Sequence, residues 1–340
     1  MRTWVETASQ PEYHHLCGCI LALARAASGR LVSRDAEAAL PAGRPGPSDG
    51  KFTERAGELR TAWTAAEHVV PGGGPLGRLG RLLRTSTSFV EPTLLALAAA
   101  PLLDRSVARG YARLEREPLT AGLLLDLAST TEASRVALYA ALHPDAALRR
   151  SGVLAASPDD AATATTRITV APAVLSVLRC EPVPVPRGVD ELAPVPLAGA
   201  ATRVLDALGV SPLRAGELSL LLGGEAQVAA LARLLAGADS ALIWRLRLDD
   251  GAEPDWAALL RDAALANAIC LVTATVDGPW QRRLRWVVER TMHTAIVATA
   301  AASLPGAIAL DDAAARTDRD ELRRRADDPV TADLVRQLCP

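Results

Sequence analysis

The sequence holds a single lysine, Lys51, and its other basic residues are arginines. Alanine and leucine are used heavily, which reads as a GC-rich coding bias and not as a functional signal. The net charge is −2, so bulk charge points to neither nucleic acid nor an anionic membrane as a partner. No basic-then-apolar leader opens the chain. Residues 16–28 are apolar over too short a span to cross a bilayer, and no later run of about 20 uncharged apolar residues stands out. These absences predict a cytoplasmic protein without a membrane partner. The five cysteines, Cys17, Cys19, Cys180, Cys270 and Cys339, are odd in number and mostly scattered, so no disulfide framework is visible. Hydrolase signatures of the G-x-S-x-G and H-E-x-x-H types are missing, and His68, His143 and His293 stand alone.

What the chain does have is apolar content, 49% over 340 residues, enough for roughly two domains with their own cores. Residues 11–29 read as an amphipathic helix with Leu16, Ile20, Leu21 and Leu23 on one face and Gly29 as C-cap. His14, His15, Cys17 and Cys19 fall at i,i+3 and i,i+4 spacings. One helix cannot wrap an ion, so buried thiols beside helix-start histidines are the plainer reading. Residues 41–50 form a Pro/Gly linker, and PGGGP at 71–75 is a second break. Residues 76–150 read as consecutive helices. From 149 to 178 the pattern becomes a helix end, a strand, a loop, a return strand and a final helix, which is the order of a winged helix. Arg78, Arg81, Arg84, Arg149 and Arg150 are its candidate phosphate contacts. The Pro-rich stretch 181–197 reads as an extended interdomain linker.

After residue 200 the pattern alternates. Strands are predicted at 218–222, 240–248, 268–274, 294–300 and 307–310. Helices are predicted at 203–209, 225–236, 254–266 and 279–292, with helical ends at 316–326 and 329–338. Apolar strands separated by helices imply a parallel sheet covered on both faces, with ligands at the carboxyl ends of its strands. The stretch LSLLLGGEAQVAALARLLA at 218–236 has the layout of a strand, a phosphate loop and a helix. A working loop reads G-x-x-x-x-G-K-[ST], with a lysine on the β/γ-phosphates and a hydroxyl on Mg²⁺. Gly223 and Gly224 are in place, but Val228, Ala229 and Ala230 fill the second-glycine, lysine and hydroxyl positions. These five residues are the candidate cofactor-binding positions, a degenerate phosphate loop. Glu225 at the helix start would repel phosphate and suits the helix dipole.

The chain resembles the N-terminal part of large bacterial AAA+ family ATP-binding proteins, many from actinobacteria and encoded beside contractile injection systems. Four stretches carry the resemblance: LALARAASG; FVEPTLLALAAAPLLDRSVARGYARL at 89–114; PLTAGLLLDL at 118–127 with HPDAALRRSGVL at 143–154; and the segment opening LSLLLGG. The second is similar to the family's F-x-x-E-x-x-L-L-L helix through Phe89, Glu91, Leu94 and Leu95, and Leu102 stands where the family has Glu. The resemblance implies a winged-helix region, then a degenerate AAA+-like module ending at its lid-like helix. The intact downstream module of the family lies beyond the chain, as in a shortened relative or a fragment. The Walker B strand ICLV at 269–272 runs into Thr273 and Ala274 instead of an acidic pair, with Asp277 further on in a turn. Thr299 takes the sensor position, and Arg282, Arg283, Arg285 and Arg290 are the available arginine-finger positions.

The fold expected is therefore α/β with an α-rich N-terminal half. Residues 1–50 supply a helix and linker, 51–180 a winged-helix-like domain, 181–200 a Pro-rich linker, and 201–340 a degenerate P-loop, AAA+-like α/β domain. The expected role is a non-catalytic scaffold or adaptor whose partner is an AAA+ ATPase or an injection-system component. A winged-helix nucleic-acid-binding regulator and a weak ATP-binding protein are the alternatives. Catalytic residues, metal ligands and a cofactor are not expected, and ATP with Mg²⁺ would bind only weakly through backbone N–H groups.

Overall fold

The computed structural model describes residues 11–37, 47–68, 74–83, 89–114, 119–155, 164–192, 197, 199–208, 220–223, 225–239, 241–248, 254–274, 280, 296–299, 308–309, 322, 324–326, 328 and 329–338. They fall into two compact units, Met1–Val183 and Pro184–Pro340. Gly224, Arg84, Asp277, His293, the four arginine-finger positions and the helix expected at 279–292 lie outside the described residues.

The first unit opens with α1 (Pro11–Glu37), which runs eight residues past Gly29, the expected stop. Arg30 explains the continuation. It is fully buried, and its Nη2 donates to the carbonyls of Asp126 and Leu127 at 3.1 and 2.8 Å, so the turn after Gly29 is anchored in the core. The 23 residues Pro11–Ser33 are long and apolar enough to cross a membrane by length and composition. Here Leu16, Ile20, Leu23, Ala24 and Ala27 recur at helical spacing and are buried, and α1 packs as a core helix.

The next helix, α2 (Pro47–His68), lies against α1 and starts inside the stretch expected to be linker. Its Trp63 indole donates to Glu67 Oε1 at 3.0 Å. α3 (Gly74–Leu83) buries Leu76, Leu79, Leu82 and Leu83. α4 (Val90–Leu103) is apolar on every side, and a helix of that kind belongs in the middle of a core. It packs against α1 and α3. The expected helix 89–114 breaks at Asp104, whose carboxylate accepts from the backbone N–H groups of Ser106 (2.7 Å) and Val107 (3.0 Å) and so starts α5 (Arg105–Leu114).

The remaining elements form a helix–turn–helix with a ribbon. α6 (Ala121–Ala128) is capped by Thr120, whose Oγ1 accepts from Leu123 N. Ser129–Thr131 make a three-residue turn into α7 (Glu132–Ala141), which opens with a Thr131/Ser134 capping box. α8 (Ala147–Arg150) leads to β1 (Leu154–Ala155), which pairs antiparallel with β2 (Thr169–Val170). A third short strand is supplied by the bridge Thr120↔Arg167, with Ile168 N donating to Leu119 O at 2.9 Å. Gly122 is required here, because its N–H bonds Ala164 O at 2.8 Å and a Cβ would stand 2.8 Å from that same oxygen. α9 (Pro172–Leu178) closes the unit.

The second unit is a six-stranded sheet in the order β3-β5-β6-β7-β4-β8. Its strands are β3 (Val189–Leu192), β4 (Leu220–Gly223), β5 (Leu242–Leu248), β6 (Ala268–Ala274), β7 (Ile296–Thr299) and β8 (Ile308–Ala309). All described pairings are parallel except that of β3 with β5. β3 comes from the Pro-rich stretch read as a linker. Its Asp190 accepts from Arg245 and its Glu191 from the buried Trp244 indole, so two acids hold an edge strand that lacks an apolar pattern. The helices are α10 (Ala200–Ala207), α11 (Glu225–Asp239), α12 (Trp256–Ala266) and α13 (Pro329–Leu338). Leu231, Leu234 and Leu235 of α11 pack with Val204, Leu205, Ile243, Ile269, Leu271, Leu334 and Leu338 into one core. Asp255 caps α12 by accepting from Ala258 N, and Asn267 ends it in the left-handed conformation.

Candidate functional site

The carboxyl ends of the parallel strands form one row. Gly223 is the register partner of Thr299, and Thr273 that of Arg247, while the pair Val272↔Ala298 joins the two halves. The chain leaves β4 toward β5, on one side, and leaves β7 toward β8, on the other side of β4. The two connections therefore run past each other in opposite directions, with the carboxyl ends of β4 and β7 side by side where they cross.

The described residues at the second-glycine, lysine and hydroxyl positions are apolar. Strand β4 ends at Gly223 and helix α11 begins at Glu225. A phosphate cradle needs several successive backbone N–H groups turned inward from a loop. Val228, Ala229 and Ala230 are helical, not loop, residues. Val228 and Ala230 are fully buried in the core and Ala229 is half-buried. The hydroxyl position, Ala230, is packed among apolar side chains, and the lysine position, Ala229, is half-buried. Strand β6 ends in Thr273 and Ala274, and Thr273 Oγ1 donates back to Leu246 O at 3.4 Å.

The helix–turn–helix presents a different surface. In such motifs the second helix, here α7, enters the major groove and reads bases through Arg, Lys, Asn or Gln. α7 exposes Val136 (66%) and Tyr139 (46%), flanked by exposed Ala137 and Ala140. Among residues 136–142 only Leu138, Ala141 and Leu142 turn inward. Arg135, the only basic residue of α7, is ion-paired with Asp126 of α6.

The described arginines proposed for phosphate contact lie on two helices, α3 and α8. Arg78 is half-buried on α3 beside Tyr13, and burial together with the like charge of Arg81 pushes it down to about 10. Arg81 is exposed, with Glu67 opposing the downward shift caused by desolvation. Arg149 and Arg150 are half-buried on α8, and Arg167, exposed on the ribbon, is a cation that the sequence reading did not single out.

The N-terminal histidines and cysteines do not converge. Cys17 Sγ donates to Leu178 O at 3.1 Å, while Cys19 Sγ lies 3.8 Å from His15 Nε2. Among the described residues no three His, Cys, Asp or Glu side chains could hold a metal ion together. His68 Nδ1 sits 2.6 Å from Thr64 O, and His143 Nδ1 accepts from Asp145 N, both helix-end arrangements.

Comparison with known proteins gives one family. Residues 48–176 match the family model of a winged helix domain, variant. That span holds α2 through most of α9, including the helix–turn–helix and the ribbon. No curated protein and no solved structure matches the chain.

Proposed function

We propose that the chain is a non-catalytic scaffold or adaptor that acts through protein contacts, with a degenerate P-loop, AAA+-like module as its second unit. The observation that carries this reading is the joint between β4 and α11. A strand ends at Gly223 and a helix begins at Glu225 in a mainly parallel sheet, yet Val228, Ala229 and Ala230, at the second-glycine, lysine and hydroxyl positions, are apolar and helical, with Val228 and Ala230 buried. Phosphoryl transfer depends on positioning and electrostatic stabilisation, and none of the groups that supply them stands at this edge among the described residues.

Protein contact, and not nucleic acid, suits the winged helix. Val136 and Tyr139 form an apolar exposed face of the kind found at protein interfaces, where tyrosine is enriched. The resemblance of the sequence to AAA+ proteins encoded beside contractile injection systems supplies the partner class, an active AAA+ ATPase or an injection-system component. ATPase turnover measured on the whole chain tests the reading. Hydrolysis that is lost on changing residues 223–230 would overturn it.

A nucleic-acid-binding regulator is the second reading, favoured by the family match over 48–176 and by exposed Arg167 on the ribbon. Duplex binding whose affinity falls steeply with salt would support it.

A further inference from the structure

Two cysteines distant in sequence are brought to the same end of α9 in the first unit. Cys17, half-exposed on α1, donates its Sγ hydrogen to the carbonyl of Leu178, the last residue of α9, across 161 residues of sequence. Cys180 follows two residues later and is buried. It sits where α9 terminates: Glu181 N donates to Ser176 O at 2.8 Å and Cys180 N to Val177 O at 3.1 Å, the pair of bonds that closes a helix through a left-handed residue. Cys180 has φ 59°, at a position that glycine fills without strain and a side chain does not. Strain of this kind at a reactive side chain points to a role for that side chain.

The two thiols also lie within electrostatic reach of each other. Burial pushes Cys180 up to about 11, and the charge of Cys17 adds to the rise. Burial raises Cys17 as well, but the guanidinium of Arg179 offsets part of that. Cys17, the more exposed of the two, is the thiol a peroxide reaches first, and buried Cys180 is the one that resolves it. The other described cysteines have no such neighbour: Cys19 faces His15 on its own helix, and Cys270 is enclosed in the second unit.

We propose that Cys17 and Cys180 form a reversible disulfide under oxidation by a peroxide, tying α1 to the end of α9. The Cys17 thiolate attacks one peroxide oxygen, the O–O bond breaks, and the departing hydroxide takes up a proton as water. The Cys180 sulfur then attacks the Cys17 sulfenic acid, the S–O bond breaks, and a second water leaves with the Cys180 proton. Two thiols and one hydrogen peroxide give one disulfide and two waters. A dithiol reductant reverses the bond.

The test treats the full chain with hydrogen peroxide, alkylates the remaining thiols and maps peptides by mass, with fragment spectra separating Cys17 from Cys19. The expected result is a Cys17–Cys180 cross-link, two hydrogens lighter than the separate peptides and cleaved by dithiothreitol. Cys180→Gly suits the left-handed backbone, so it folds and loses the cross-link, and Cys17→Ser loses it too. The oxidised chain should also unfold at a higher temperature than the reduced one, with no such difference in Cys180→Gly. Sulfenic or sulfinic acid at Cys17 with Cys180 still alkylated, or a cross-link that uses Cys19 equally, would overturn the proposal.

Discussion

Arg135 on α7 and Asp126 on α6 are ion-paired across the turn of the helix–turn–helix. The pairing consumes the only cation of the helix that would otherwise face a DNA groove. The chain is expected to bind duplex DNA no better than non-specific proteins do, with Kd of about 10⁻⁵ M or weaker at physiological salt. Asp126→Ala should free Arg135 and steepen the salt dependence of binding by about one phosphate contact, as read by fluorescence anisotropy. Since the pair is half-exposed, the same change should cost at most about 1 kcal/mol of stability. Nanomolar binding by the unaltered chain would contradict the reading.

Val136 and Tyr139 should be silent in the isolated chain. Replacing either with Glu is expected to shift unfolding by no more than about 0.5 kcal/mol, because the side chains face solvent. The same variants should weaken binding to any protein partner that docks on α7. A destabilisation of several kcal/mol would show that this face is covered within the chain.

Arg30 should be among the costliest positions to change. Its guanidinium reaches the last carbonyls of α6, stands 3.6 Å from Asp49 Oδ1 and covers the Phe52 ring at 4.4 Å. Arg30→Met keeps much of the volume but leaves carbonyls and a carboxylate without their cation, at a cost of about 3–5 kcal/mol. Arg30→Lys should recover only part of this, because one ammonium cannot span both carbonyls and the ring. Chemical denaturation of the variants measures it.

Acid should loosen the start of α5. Asp104 accepts hydrogen bonds from Ser106 and Val107 and faces Arg25, and these hold its carboxyl below the ordinary aspartate value. A lowered folded-state pKa means that the contribution is complete above the unfolded value of about 3.9 and disappears as pH falls through the lower folded value. Stability measured against pH in wild type and Asp104→Asn should differ most above about pH 4 and converge below it. A constant difference across the range would mean that the cap acts without its charge.

The strands of the second unit were legible because strands buried on both faces are continuous apolar runs, and 268–274 was read to the residue. The ribbon after Arg150 was legible from the change of period. Other features depend on contacts between residues far apart in sequence. Gly29 signals a helix stop, but the bonds of Arg30 to α6 carry α1 onward to Glu37. Residues 181–197 look like a linker, and only Arg245 and Trp244 reveal why Asp190 and Glu191 form a strand. Residues 76–150 read as helices from their pattern, but the pattern does not say that Val136 and Tyr139 of α7 point away from the core. At the candidate loop, the missing lysine was plain in the sequence, while the burial of Val228 and Ala230 within α11 appears only in the fold.

The most direct measurement is calorimetry of the intact chain with ATP and ADP in the presence of Mg²⁺. The expected result is no heat of binding at millimolar nucleotide, since Val228 and Ala230, at the second-glycine and hydroxyl positions, are packed in the core. Binding at micromolar nucleotide that is lost on changing residues 223–230 would contradict the non-catalytic scaffold and show that backbone N–H groups alone make a working site.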